Sequence, residues 1–132
     1  MNIIVDTNIL VRMAVRDDEQ QWRAATKALE DAEIVVIPLS CLCETVWVLK
    51  GVYRLGRQEI LSFLHPLLDA NNVVLSRQAV EAGIAILEAG GDFADGVIAY
   101  EGRIMGGETF VSFDKKAVAL ISKQGQSAVL LS

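Results

Sequence analysis

The sequence predicts an α/β fold: a parallel sheet covered by helices on both faces. Three observations carry this. Short apolar runs alternate with helical stretches along the whole chain, and alternation of that kind builds a parallel sheet. The runs are continuous, as in Ile34-Val35-Val36-Ile37, which is how a strand buried on both faces reads. Finally, 132 residues, 52% of them hydrophobic, are enough for one well-filled core and too few for two. One domain over residues 1–132 is therefore expected. Right-handed crossovers then distribute the helices over both faces.

The elements follow in order. Asn2 to Val5 is a β-branched run, a first strand, followed by a helix from Asn8 to Val15. Asp17 to Asp31 reads as a second helix, with Asp17 as its N-cap. Ile34 to Ile37 is a second strand, closed by Pro38. Ser40 to Tyr53 has helical spacing and Gly56 stops it. Arg57 to Asp69 is helical, Asn71-Asn72 is a turn, and Val73-Val74-Leu75 is a third strand. Ser76 caps a helix that Gly90-Gly91 ends. Asp92 to Met105 is helical up to Gly106-Gly107, and Thr109 to Phe113 is a fourth strand. Asp114 to Lys123 is the last helix and Ala128 to Leu131 a fifth strand. The expected architecture is three layers around a central parallel sheet of about five strands.

Composition narrows the function. The formal net charge is −5, from 12 Lys+Arg against 17 Asp+Glu. That balance argues against bulk electrostatic capture of nucleic acid, although an enzyme carrying its positive charge as a bound metal escapes the argument. Two cysteines, Cys41 and Cys43, make no disulfide framework, so a reducing, cytoplasmic setting is expected. The start Met1-Asn2-Ile3-Ile4-Val5-Asp6 lacks the apolar core of a signal peptide. No apolar stretch is long enough to span a membrane.

In open parallel sheets, ligands bind beyond the carboxyl ends of the strands. Two strands end on an aspartate there: Val5 runs into Asp6-Thr7-Asn8, and Phe113 into Asp114-Lys115-Lys116. Either aspartate can simply cap the helix that follows. Glu44 shares a helix face with Trp47 and Val48, which are expected to face the core. A carboxylate beside the core needs a partner, and Arg12, Arg54, Arg57 or a cation would serve. Asp92 and Asp95 are spaced i and i+3 at a helix start, on one face, and Gly96 beside them permits a close approach. Two carboxylates about 4 Å apart repel by roughly 4 kcal/mol at an effective dielectric near 20. A cluster of such acids therefore calls for a hard divalent cation. The single histidine, His65, lies outside every one of these motifs, which disfavours a zinc site.

Taken together, Val5-Asp6-Thr7-Asn8, Glu44 early in the helix after the second strand, Asp92-Phe93-Ala94-Asp95 and Ser112-Phe113-Asp114 resemble the PIN domain. More narrowly, the chain resembles VapC-type toxin ribonucleases of bacterial toxin–antitoxin pairs. The resemblance runs from Ile3 through Asp114 to the last strand. It implies a Mg²⁺- or Mn²⁺-dependent endoribonuclease. Asp6, Glu44, Asp95 and Asp114 match the acidic quartet that binds metal and carries catalysis, and Asp92 matches an acid often found beside the third member. Asn8 and Ser112 match polar residues that orient the site, Ser112 standing where the family usually has threonine. The resemblance further implies an RNA substrate, a homodimer and a cognate antitoxin that silences the site. Arg12, Arg16, Lys115 and Lys116 are candidates to meet RNA phosphates, or else form a solvated face. Two alternatives compete: a PIN-like protein that only binds a partner, and an aspartate-dependent phosphotransfer or receiver domain. The second wants an acid after strand three and a lysine after the last strand. Leu75-Ser76-Arg77 and the sequence after Leu131 provide neither.

Overall fold

The computed structural model describes all 132 residues, Met1–Ser132, and they form two compact units, Met1–Ser76 and Arg77–Ser132. The first unit runs β1 (Asn2–Ile4), α1 (Thr7–Ala14), α2 (Glu19–Asp31), β2 (Ile34–Val36), α3 (Leu39–Gly51), α4 (Arg57–Asp69) and β3 (Val73–Val74). The second runs α5 (Arg77–Glu88), α6 (Phe93–Ile104), β4 (Phe110–Ser112), α7 (Lys115–Lys123) and β5 (Ala128–Leu130). The class is the mixed α/β expected, and every strand pair is parallel.

The sheet differs from the expectation. Its five strands form a three-stranded sheet, β1-β2-β3, in the first unit and a two-stranded sheet, β4-β5, in the second. The strands hold only two or three residues each, so each ladder is equally short: Ile3 faces Val35, Val35 faces Val73, and Val111 faces Val129. An apolar run marks a strand but carries no record of which neighbour it pairs with.

In the first unit the central strand is the buried one. Val35 is fully buried, with Leu10, Leu42, Leu49 and Leu64 around the same core. Asn72, in the turn before β3, donates its side-chain amide to the carbonyls of Leu29 (3.1 Å) and Ala32 (3.2 Å), tying down the end of α2. The N-cap of α2 is Asp18, not Asp17: its carboxylate accepts the Gln21 N–H at 3.0 Å. Both aspartates are good caps, and only the backbone trace decides between them.

Helix α3 corrects a second expectation. Its buried residues are Cys41, Leu42, Thr45, Val46 and Leu49, an i, i+4, i+8 stripe with its immediate neighbours. Trp47 is 69% exposed, and Glu44 is exposed on the same flank. Apolar residues surround this helix on several sides, so periodicity alone could not choose the inward face. The buried Thr45 hydroxyl is satisfied by donating to the Cys41 carbonyl at 2.8 Å.

After α3 the chain turns through Arg54, the one non-glycine residue with positive φ, at 57°. The turn lets the Leu55 N–H return to the Leu49 carbonyl at 3.0 Å. A left-handed conformation costs an L-residue roughly 1–2 kcal/mol. Arg54→Gly is therefore expected to raise stability by about 0.5 kcal/mol, after glycine's greater loss of chain entropy. Arg54→Val, branched at Cβ, should lower it by about 1 kcal/mol. Urea unfolding of the two variants measures the difference.

In the second unit Ile86, Ala99 and Ile121 form the buried centre, with Phe110, Leu120 and Ala128 packed against it. Helices α5 and α6 approach backbone to backbone through Gly83 and Gly96. A Cβ on Gly96 would overlap the Ala82 carbonyl oxygen and lie 2.9 Å from Gly83 Cα. The neighbour that Gly96 admits is thus the preceding helix of the same unit. No helix is long and apolar enough to cross a membrane.

Candidate functional site

Each unit carries its own acidic group. In the first, Asp6 follows β1 and is the N-cap of α1, its Oδ1 accepting the Ile9 N–H at 3.1 Å. Glu44 is supplied by the second turn of α3. Both line one open cleft of about 450 Å³, with Thr7, Asn8, Arg12 and Tyr53 among the other residues around it. The structure thus brings Asp6, Asn8, Arg12 and Glu44 to a single cleft. Thr7 links the two helices at its base by directing its hydroxyl at the Cys41 sulfur, 3.8 Å away. Burial pushes the Cys41 thiol up, with the charges of Asp6 and Glu44 adding to the effect, so this cysteine stays a neutral packing group. Both cysteines are free thiols.

In the second unit Asp92 is the N-cap of α6, and its carbonyl accepts the Asp95 N–H at 3.2 Å. Asp114 is the N-cap of α7, with Oδ1 accepting the Ala117 N–H at 3.0 Å. Its own N–H donates to the Ser112 hydroxyl oxygen at 2.9 Å. Asp92, Asp95 and Asp114 each offer a carboxylate oxygen, all within 4.8 Å of one another. Asp95 is half-buried and the other two are exposed. All three stand at the starts of α6 and α7, where the helix dipole favours negative charge. The donor set is oxygen only, without histidine or cysteine, and fits a hard cation such as Mg²⁺ or Mn²⁺ rather than zinc.

The basic residues divide. Arg12 is three-quarters buried, its side chain 21% exposed, and its guanidinium donates to Asp17 at 2.7 Å and to the Tyr53 hydroxyl at 2.8 Å. Burial draws its pKa down, but the Tyr53 hydroxyl and then the Asp17 carboxylate outweigh this and raise it. Arg16 forms a two-pronged pair with Glu19, at 2.7 and 2.9 Å, and stacks 3.6 Å above the Trp22 ring. It is held by its own surface neighbours and lies outside the residues lining the cleft. Lys115 and Lys116 occupy the first turn of α7, exposed, directly after Asp114. Lysines there oppose the helix dipole, so local helix stability does not account for them. His65 is exposed on α4.

Sequence reasoning missed Tyr53 and the true role of Asp17. Tyr53 stands 41 positions from Arg12, beyond the end of a helix, and nothing in its sequence neighbourhood marks it. Asp17 lies five positions after Arg12, a spacing that could have suggested an ion pair but also suits a cap.

Comparison with known families agrees with this reading. The PIN domain profile matches residues 3–121. No curated protein and no solved structure matches the chain. The matched span takes in both acidic groups, the three strands and helices of the first unit that frame Asp6 and Glu44, and the helix starts that carry Asp92, Asp95 and Asp114. With nine-tenths of its length inside that match, the chain belongs to the PIN domain family.

Proposed function

We propose that this PIN domain is a Mg²⁺- or Mn²⁺-dependent endoribonuclease, the VapC-type toxin of a bacterial toxin–antitoxin pair. The PIN domain is a nuclease-type fold, commonly metal-dependent. The observation that carries the reading is the trio Asp92, Asp95 and Asp114, whose ligand oxygens lie within 4.8 Å of one another. Three carboxylates so close offer a hard cation several oxygens at once, and a divalent cation suits phosphodiester hydrolysis. When bound, such a cation supplies Lewis-acid stabilisation of the phosphodiester and lowers the pKa of its water.

The chain's own residues then take distinct parts. Asp6, Glu44, Asp95 and Asp114 are the catalytic acids, and Asp92 assists in holding the cation. Ser112 fixes the backbone from which Asp114 projects, through the 2.9 Å bond to the Asp114 N–H. Asn8 stands beside Asp6 at the cleft wall and orients what enters. Lys115 and Lys116 meet RNA phosphates, which accounts for their place against the helix dipole. Neither acidic group contains a histidine, so imidazole acid–base chemistry plays no part. The protein acts in the cytoplasm as a homodimer. Its antitoxin silences it by inserting an arginine or lysine among the acids, arginine being the better fork for carboxylates, or by blocking the entrance sterically.

The test is incubation of the purified chain with structured RNAs, with Mn²⁺ and with EDTA, followed by mapping of the fragment ends. Discrete fragments that appear with Mn²⁺ alone are the expected result. Intact RNA under both conditions, from a folded protein that still binds its antitoxin, would make it a partner-binding module instead.

A further inference from the structure

The geometry points to Arg12 as the group that grips an RNA phosphate beside Asp6 and Glu44, with Tyr53 and Asp17 as the residues that hold it in position. This rests on the endoribonuclease reading and adds a substrate-binding arm to it. Arg12 is the one cation among the residues lining the 450 Å³ cleft. It pairs with neither of the cleft's own carboxylates; its ion-pair partner is Asp17. Two of its five N–H donors are used, one on Asp17 and one on Tyr53. The remaining three belong to a planar fork whose shape matches two phosphate oxygens.

The support is built from both sides. Asp17 comes from the segment between α1 and α2, and Tyr53 from the end of α3, just before the left-handed Arg54. A side chain held this way has already lost most of its rotamer freedom before RNA arrives, which lowers the entropic cost of the contact. The other arginines and lysine paired on this side of the chain sit on α2 or just before it. Arg16 and Arg23 pair with Glu19, and Lys27 with Asp31, all within four residues. Those are surface pairs that leave nothing aimed at the cleft. Arg12 differs in being largely enclosed, tied across 41 residues of sequence, and part of the wall of a cleft where a polyanion is the proposed substrate.

The experiment is fluorescence anisotropy of a labelled single-stranded RNA oligonucleotide with hydrolysis-resistant phosphate linkages, at a fixed Mn²⁺ concentration, so that binding is read with the cation present and without cleavage. Affinity is measured from about 50 to about 300 mM salt, because the slope of log K against log salt counts neutralised phosphates at about 0.7 each for single strands. Arg12→Gln should weaken binding about tenfold at the lowest salt and reduce the slope by about 0.7. Arg12→Lys should restore the slope, since it restores the charge, but recover only part of the affinity. Tyr53→Phe should weaken binding a few-fold at unchanged slope, because it loosens the arm without removing its charge. A purely structural strap would lower the melting temperature of Arg12→Gln and leave the slope of the folded protein where it was; that result overturns the proposal. Parent protein that binds no RNA overturns it as well. Cleavage by the parent with Mn²⁺ is scored separately. A parent that cleaves while Arg12→Gln keeps the parental slope removes the arm and spares the nuclease. A parent that does not cleave while the slope falls by the stated amount removes the nuclease and keeps the arm.

Discussion

Asp114→Asn is expected to abolish Mn²⁺-dependent RNA cleavage while leaving the fold intact, and Asp114→Ala to abolish cleavage and weaken the fold. The aspartate has two separable roles. As N-cap of α7 it accepts the Ala117 N–H at 3.0 Å, and asparagine caps a helix about as well as aspartate. As part of the trio with Asp92 and Asp95 it supplies charge and a hard oxygen, and asparagine brings no charge. Removing even the outer supports of a metal ligand costs about 10–100-fold in activity or metal affinity, so loss of a ligand should cost at least about a hundredfold. Asp114→Ala removes the cap as well, at a cost of about 1 kcal/mol. Melting curves separate the roles further. Mn²⁺ should raise the melting temperature of the parent and do much less for Asp114→Asn, because a ligand stabilises only the state that binds it. If Asp114→Asn cleaved RNA at the parental rate, capping would be the whole of its function.

The second large effect concerns packing. Gly96→Ala should destabilise the second unit by about 3 kcal/mol, the upper end of what overpacking commonly costs. The new methyl would overlap the Ala82 carbonyl oxygen and sit 2.9 Å from both Gly83 Cα and Ile86 Cγ1. Two of these three atoms are helix backbone and cannot rotate away. The better helix propensity of alanine, about 1 kcal/mol, does not offset the clash. Gly102→Ala in the same helix should do the opposite. A Cβ added at Gly102 would meet nothing within 4 Å, so only the propensity gain of up to about 1 kcal/mol remains. Opposite shifts in denaturation midpoint would establish that close approach, rather than glycine itself, is what α6 requires at Gly96. Because Gly96 follows Asp95 directly, the variant should also spread the trio and lose the Mn²⁺ stabilisation.

Much of this was legible in the chain. Local rules govern where a helix begins, so the starts of α4, α6 and α7 could be read from Arg57, Asp92 and Asp114 to within a residue. Apolar runs marked all five strands. The spacing of Asp92 and Asp95 placed both on one face of a helix start, and the structure adds Asp114 to them. These are short-range matters of capping and periodicity, and the sequence determines them by itself.

What needed the tertiary structure is everything that depends on a partner distant in the chain. Strand pairing is one example: β1, β2 and β3 form one sheet and β4 and β5 another, though all five read alike. The inward face of α3 is another. Trp47 is the larger apolar residue, yet Cys41, Leu42 and Val46 are buried and Trp47 is exposed, because the space facing the core selects the stripe and hydrophobicity on all sides cannot. Asp17 looked like a cap and became the counter-ion of Arg12 once Asp18 took the helix start. Tyr53 joined them because the end of α3, where its N–H meets the Val48 carbonyl at 3.2 Å, sets its hydroxyl beside an arginine 41 positions away. Residue type and spacing specify which chemistry a chain can offer. Which donor meets which acceptor is decided by the packing, since a hydrogen bond depends on distance and angle that no separation along the sequence encodes.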